Sequence, residues 1–213
     1  MNRTLILLGI VAVSVAAWIY LDPPAPREVL AYEFLPPAGR TGAPGEGTCI
    51  DCHGGSLLNE AGGSVSIGGI PASYLPTQTY TITVTVRHPS QHRWGFELVP
   101  LRTNNTMAGI LTNTSLFTDV ISGVGGKTYV GHTNQRGADG TFQAQPDSAT
   151  WTFSWTAPSA SAGTVTFYAA GNAANNNNLN SGDKIYTTSV SSTEGSMTDV
   201  DATTWGKIKM LYR

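Results

Sequence analysis

QTYTITVTVRH, residues 78–88, decides the fold class. Tyr80, Ile82, Val84 and Val86 alternate with Thr79, Thr81, Thr83 and Thr85, so an extended chain has one apolar and one polar face. That period of two is what a half-buried β-strand requires. Immediately downstream, Trp94, Phe96 and Leu98 alternate with Arg93, Gly95 and Glu97, and PSQH at 89–92 makes a turn between the two runs. The same signal returns at 116–122, 127–133, 149–157, 164–170 and 183–190. It is cleanest where Trp151, Phe153 and Trp155 alternate with Thr150, Thr152, Ser154 and Thr156. Strands this short, joined by turn-rich connections, predict an all-β, antiparallel two-sheet sandwich over residues 64–192.

Composition agrees. Of 213 residues 24 are Gly, and only 12% are charged, against about a quarter in a typical domain. That mix favours strands and turns and suits an extracytoplasmic β-protein. A net charge of −2 offers no broad cationic surface for nucleic acid. Upstream, TLILLGIVAVSVAAWIYL at 4–21 is an uncharged run. At about 18 residues it lies at the lower edge of a bilayer span and exceeds most signal-peptide cores. Residues 1–21 therefore read as a transmembrane helix, with a cleaved secretion signal as the competing reading. Arg3 is expected to stay in the cytoplasm, placing the main domain on the periplasmic side of a bacterial cytoplasmic membrane. Residues 22–48 read as a Pro/Gly-rich linker. Residues 193–213 read as a tail whose Trp205, Ile208 and Leu211 or Tyr212 have near-helical spacing and dock on the sandwich or on a partner. NAANNNNLNSGD at 172–183 reads as a polar connection able to form an ordered turn, with too few carboxylates for a good calcium site.

The chemistry lies at Cys49-Ile50-Asp51-Cys52-His53, which holds both of the chain's 2 Cys. Covalent attachment of haem needs two thiols spaced to match its two vinyl groups, and an imidazole immediately after to reach iron. Three other readings compete. An oxidising compartment could join Cys49 to Cys52. A thioredoxin-like motif would need a βαβ context, which the sequence lacks. A structural zinc site would need about four ligands, and no second Cys pair exists. The expectation is one haem c in an attachment loop at 49–63, with Cys49 and Cys52 as thioethers and His53 as proximal iron ligand. His132, in Tyr129-Val130-Gly131-His132-Thr133, is the first distal candidate. It follows a glycine that leaves room for a ring. His88, at the end of the 78–88 run, is the second. His92, Met107, Met197 or an open position are further alternatives.

These residues resemble a bacterial family of exported domains related to the reelin-type (Reeler) sandwich, often labelled choice-of-anchor V. The resemblance runs through TGAPGEGTCIDCH at 41–53, YTITVTV at 80–86, GFEL at 95–98 and YVGHT at 129–133. It continues through WTFSWTAP at 151–158, VTFYAAGNAAN at 165–175 and GDKIYTT at 182–188. It implies a sandwich outside the cytoplasm, tethered by one of several interchangeable anchors. It also adds weight to His132, because the family pattern has a histidine in its Tyr-x-x-His-Thr segment. Many relatives are anchored through C-terminal sorting segments, whereas this chain offers residues 4–21.

No Ser-His-Asp order, paired carboxylates or phosphate loop supplies a rival centre. The expected function is a membrane-anchored monohaem cytochrome rather than an enzyme. It would transfer one electron to or from a membrane-bound respiratory or photosynthetic complex or a soluble redox partner. The alternative is a noncatalytic surface or accessory binding module in which haem is structural or absent.

Overall fold

The computed structural model describes residues 32–196. The expected membrane helix at 1–21, Met197 and the amphipathic end of the tail lie outside the described residues. Among the described residues no helix is long and apolar enough to cross a membrane.

The described residues form ten strands in chain order: β1 (Ser64–Gly68), β2 (Ser73–Tyr74), β3 (Thr79–Arg87), β4 (Arg93–Arg102), β5 (Ile110–Asn113), β6 (Thr118–Ser122), β7 (Thr128–His132), β8 (Ser148–Thr156), β9 (Val165–Ala174) and β10 (Lys184–Glu194). They form two sheets, β1-β3-β8-β5 and β2-β10-β9-β4-β7-β6. The all-β, two-sheet expectation is met, with one exception to antiparallel pairing: the short β2 runs parallel to β10. Residues 89–92 do not close a hairpin. β3 pairs with β1 and β8, β4 with β7 and β9, so this turn carries the chain from one sheet to the other. The strands β1, β2 and β5 escaped the periodicity because two to five residues are too short to establish one.

The core lies between the sheets. Ile82, Val84 and Val86 on β3 and Trp151, Phe153 and Trp155 on β8 meet Trp94, Phe96 and Leu98 on β4 and Phe167 on β9. Trp155 stands edge-on to Tyr74 and Phe167, with centroids 5.5 and 4.8 Å away. Each core indole N–H finds a carbonyl: Trp94 on Gln145 at 2.9 Å, Trp151 on Gly140 and Trp155 on Ala108 at 2.8 Å. Burying these large rings without loss at their polar end needs such partners.

β4 departs from alternation, since every residue from 94 to 101 is buried. Its outward-facing Val99 and Leu101 join Tyr129 of β7 in an apolar patch on the far side of the six-stranded sheet, and Ala43 covers it. Residues 32–48, expected as a linker, thus form a second layer on that sheet. Pro36 lies where a side chain on Gly131 would be, 2.6 Å from a notional Cβ. The Arg40 backbone N–H donates to Glu97 Oε2 at 2.5 Å. Glu46 anchors the far end, accepting from Thr41 Oγ1 at 2.7 Å, Tyr129 Oη at 2.7 Å and Lys127 Nζ at 2.9 Å. Apolar side chains on the outer face give this Pro/Gly-rich segment something to bury, so it docks instead of spanning.

Candidate functional site

The covering layer ends in the cysteine motif. Thr48 caps a single 3-10 turn, Cys49–Asp51, its Oγ1 accepting the Ile50 N–H at 3.3 Å. The Cys49 carbonyl then accepts from Cys52 N at 3.2 Å and from His53 N at 2.9 Å. The turn therefore gathers both sulfurs and the imidazole within one coil of chain. Cys49 and Cys52 are free thiols, both partly exposed. Burial pushes the Cys49 thiol up to about 12, and the negative charge of Glu97 adds to the effect.

A second loop, 130 residues away in sequence, holds this turn. His53 Nδ1 lies 2.5 Å from Oδ2 of Asp183, a carboxylate only 1% exposed. The ring is also flanked by the Asn172 amide, with Nδ2 3.0 Å from Nδ1 and 3.4 Å from Nε2. Nδ1 cannot donate to the carboxylate and accept from the amide at once. The closer, anionic oxygen accepts the Nδ1–H, which leaves the lone pair of the neutral ring on Nε2. Asp183 is itself fixed: its Oδ1 accepts the Asn175 N–H at 3.3 Å, and its carbonyl accepts from Ser56 Oγ at 2.7 Å.

The asparagine run is the ordered turn that its composition suggested. Asn175 Oδ1 accepts from Asn177 N at 3.1 Å, and Asn177 Oδ1 from Leu179 N at 2.8 Å, while Asn176 and Asn178 sit at φ 61° and 60°. Such side-chain turns and left-handed residues suit asparagine. The loop grips the motif through Asn180 Nδ2 on the Cys52 carbonyl at 3.0 Å, Gly54 N on Asn180 O at 2.7 Å and Gly182 N on Gly54 O at 3.0 Å. Gly55, at φ 104°, passes so close that a Cβ there would lie 2.6 Å from Gly182 N. Glycine is required by both conformation and space. Among the described residues no group of three or more His, Cys, Asp or Glu could hold a bare metal ion.

His132 lies on the same outer side. Pairing of β4 with β7 runs through Leu98↔Val130 and Glu97↔Gly131. At the next position the imidazole replaces backbone, its Nδ1 accepting the Phe96 N–H at 3.1 Å. The glycine that makes room is Gly95 on β4, where a Cβ would lie 2.8 Å from the ring, and not Gly131, which faces Pro36. Burial lowers the His132 pKa to about 4, so the ring is neutral, and the nearby His53 contributes in the same direction. Gly95 pairs with Asn172 across β4 and β9. His132 over Gly95 and His53 against Asn172 therefore flank one cross-strand pair.

The other candidates lie elsewhere. His88 stacks on Tyr186, centroids 6.3 Å apart, and Tyr186 faces the core. Its Nδ1 accepts the Ser90 N–H at 3.2 Å. His92 is exposed. Met107 packs among apolar side chains, its sulfur 3.7 Å from Thr128 Oγ1. The structure thus brings His132, but not His88, to the side of the sheet where His53 lies. Asp183, Asn172 and Asn180 were not picked out by the sequence as site residues. No local signal marks them, because Asp183 and Asn172 meet His53 only across 130 and 119 residues of chain.

No family model matches the sequence, and no curated protein matches it. Solved structures do. The Reelin-N domain of F-spondin is similar at 21% identity and a TM-score of 0.46, over 66% of this chain and 93% of that one. The human F-spondin reeler domain gives 20% and 0.45, over 66% of this chain and 95% of that one. A cohesin from scaffoldin B of Acetivibrio cellulolyticus, solved with a dockerin, gives 10% and 0.36, over 59% and 98%. The fold is an all-β, two-sheet sandwich.

Proposed function

We propose that residues 49–53 attach one haem c, with Cys49 and Cys52 as its thioether sulfurs and His53 as its axial ligand, and that the chain is a one-electron carrier. The observation that carries this reading is the state of His53: Nδ1 is engaged by buried Asp183 at 2.5 Å, so the lone pair able to coordinate is on Nε2, where the Asn172 amide at 3.4 Å would yield to the metal. Imidazoles that ligate metals almost always have their second nitrogen held in this way. Bound there, haem would supply a ferric/ferrous couple that exchanges single electrons. The chain's part is to present two thiols on one turn, fix the ring of His53 and shield it beneath residues 172–183.

His132 is the proposed distal ligand. In its present hydrogen bonding Nε2 carries the proton and faces the Tyr32 carbonyl at 3.4 Å. To hold a haem iron, Nε2 would give up its proton and the Tyr32 carbonyl, and Nδ1 would change from accepting the Phe96 N–H to donating to the Phe96 carbonyl, 3.4 Å away. We further place the chain among choice-of-anchor V-type exported sandwiches, tethered to a bacterial cytoplasmic membrane by residues 4–21 and exchanging electrons with a membrane redox complex or soluble partner. The test is intact mass with a pyridine haemochrome spectrum on natively matured protein. One covalent haem is expected, together with a reduced-minus-oxidised difference spectrum. Colourless protein, its two thiols free or joined to each other, would overturn the cytochrome and leave a tethered β-module.

A further inference from the structure

We infer that Asp183 is a positioning residue that sets the electronic character of His53 and so holds the site towards its oxidised state. This rests on the haem reading above. Cys49, Cys52 and His53 are enough to attach and ligate haem, and they do not specify what sits behind the ring. A backbone carbonyl would suffice to orient an imidazole. This chain instead places a full carboxylate there, at 2.5 Å and 1% exposed.

The surroundings make that charge effective. Among the described residues Asp183 faces the Nδ1–H of His53, and the neighbouring Lys184 is engaged with Glu60 at 3.0 Å. The remaining partners of Asp183, the Asn175 N–H and the Ser56 hydroxyl on its carbonyl, are neutral. A charge-assisted hydrogen bond in a buried site is about twice as strong as a neutral one. It draws the Nδ1 proton towards oxygen and leaves Nε2 a more basic donor. A more basic donor stabilises the more highly charged metal, so ferric is favoured over ferrous. A one-electron donor would deliver its electron to the bound haem, and the proton would stay between Nδ1 of His53 and Oδ2 of Asp183.

Asp183→Asn keeps size and a hydrogen-bond acceptor but removes the charge. In a redox titration of the holoprotein with dithionite and ferricyanide, D183N is expected to favour ferrous by tenfold or more, about 59 mV for one electron. Asp183→Glu, which restores a carboxylate, should return towards wild type. Haem content of each protein is measured first: wild type without covalent haem sinks the proposed function itself. Haem-loaded D183N with an equilibrium within threefold of wild type overturns the role of Asp183 and leaves the cytochrome standing. If D183N does not fold, electron paramagnetic resonance of ferric wild type decides. A signal with imidazolate character supports the inference, and one of an ordinary neutral imidazole overturns it.

Discussion

The outward faces of the two sheets are built from different chemistry. On the four-stranded sheet, threonines of β3 and β8 pair across the strands, Thr79 with Thr156 and Thr85 with Thr150, each at 2.8 Å, and meet water. On the six-stranded sheet the corresponding face carries Gly95, Glu97 and Asn172, with Asp183 at its margin, and residues 32–53 lie over it. One face needs only to be soluble. The other has given up regular packing for small residues and buried polar groups, the usual mark of a surface kept for something other than stability. Glu97 is the plainest case: fully buried, with Oε1 unpartnered among the described residues, and pushed up to about 8 chiefly by that burial.

The contrast can be broken at four points. If the shared core carries the stability, Trp155→Ala should lose about 3–5 kcal/mol in urea unfolding, and a loss below 1 kcal/mol would contradict it. Glu97 comes next. Its folded carboxyl keeps a proton that the unfolded chain has released between pH of about 4.5 and 8. Wild-type stability should therefore fall with rising pH through that window, by roughly 1.4 kcal/mol per pH unit from this group. E97Q should lack the slope, so unfolding curves that fall in parallel at pH 5, 7 and 9 would remove Glu97 from the account. Gly131→Val should collide with Pro36 and loosen the covering layer at a cost of about 1–3 kcal/mol, read as faster proteolysis within residues 32–48. Thr85→Ala, on the solvent face, should cost only about 0.2–1 kcal/mol.

The same contrast explains what could be read from sequence. β3 and β8 alternate because one face is wet, and their bounds were legible to within a residue or so. β4 and the end of β9 are buried on both faces, β9 from 169 to 173 without a break. Period two in those strands marks two different interiors, so alternation alone does not show that Glu97 is buried. The site divides likewise. Cys49, Cys52 and His53 are contiguous and visible as a motif, whereas Asp183 meets His53 across 130 residues. No local pattern encodes that meeting. The covering layer was missed because proline and glycine signal an absence of regular structure, which is compatible with close docking once an apolar face is present to receive it.

Sequence distance has one more consequence. Synthesis proceeds from the amino terminus, so the CIDCH segment emerges well before the loop that clamps it, residues 175–183. Until that loop arrives, the turn lacks the hydrogen bonds that hold the Cys52 carbonyl and the ring of His53. The order of synthesis therefore leaves an interval in which the two sulfurs are present before their turn is held in place.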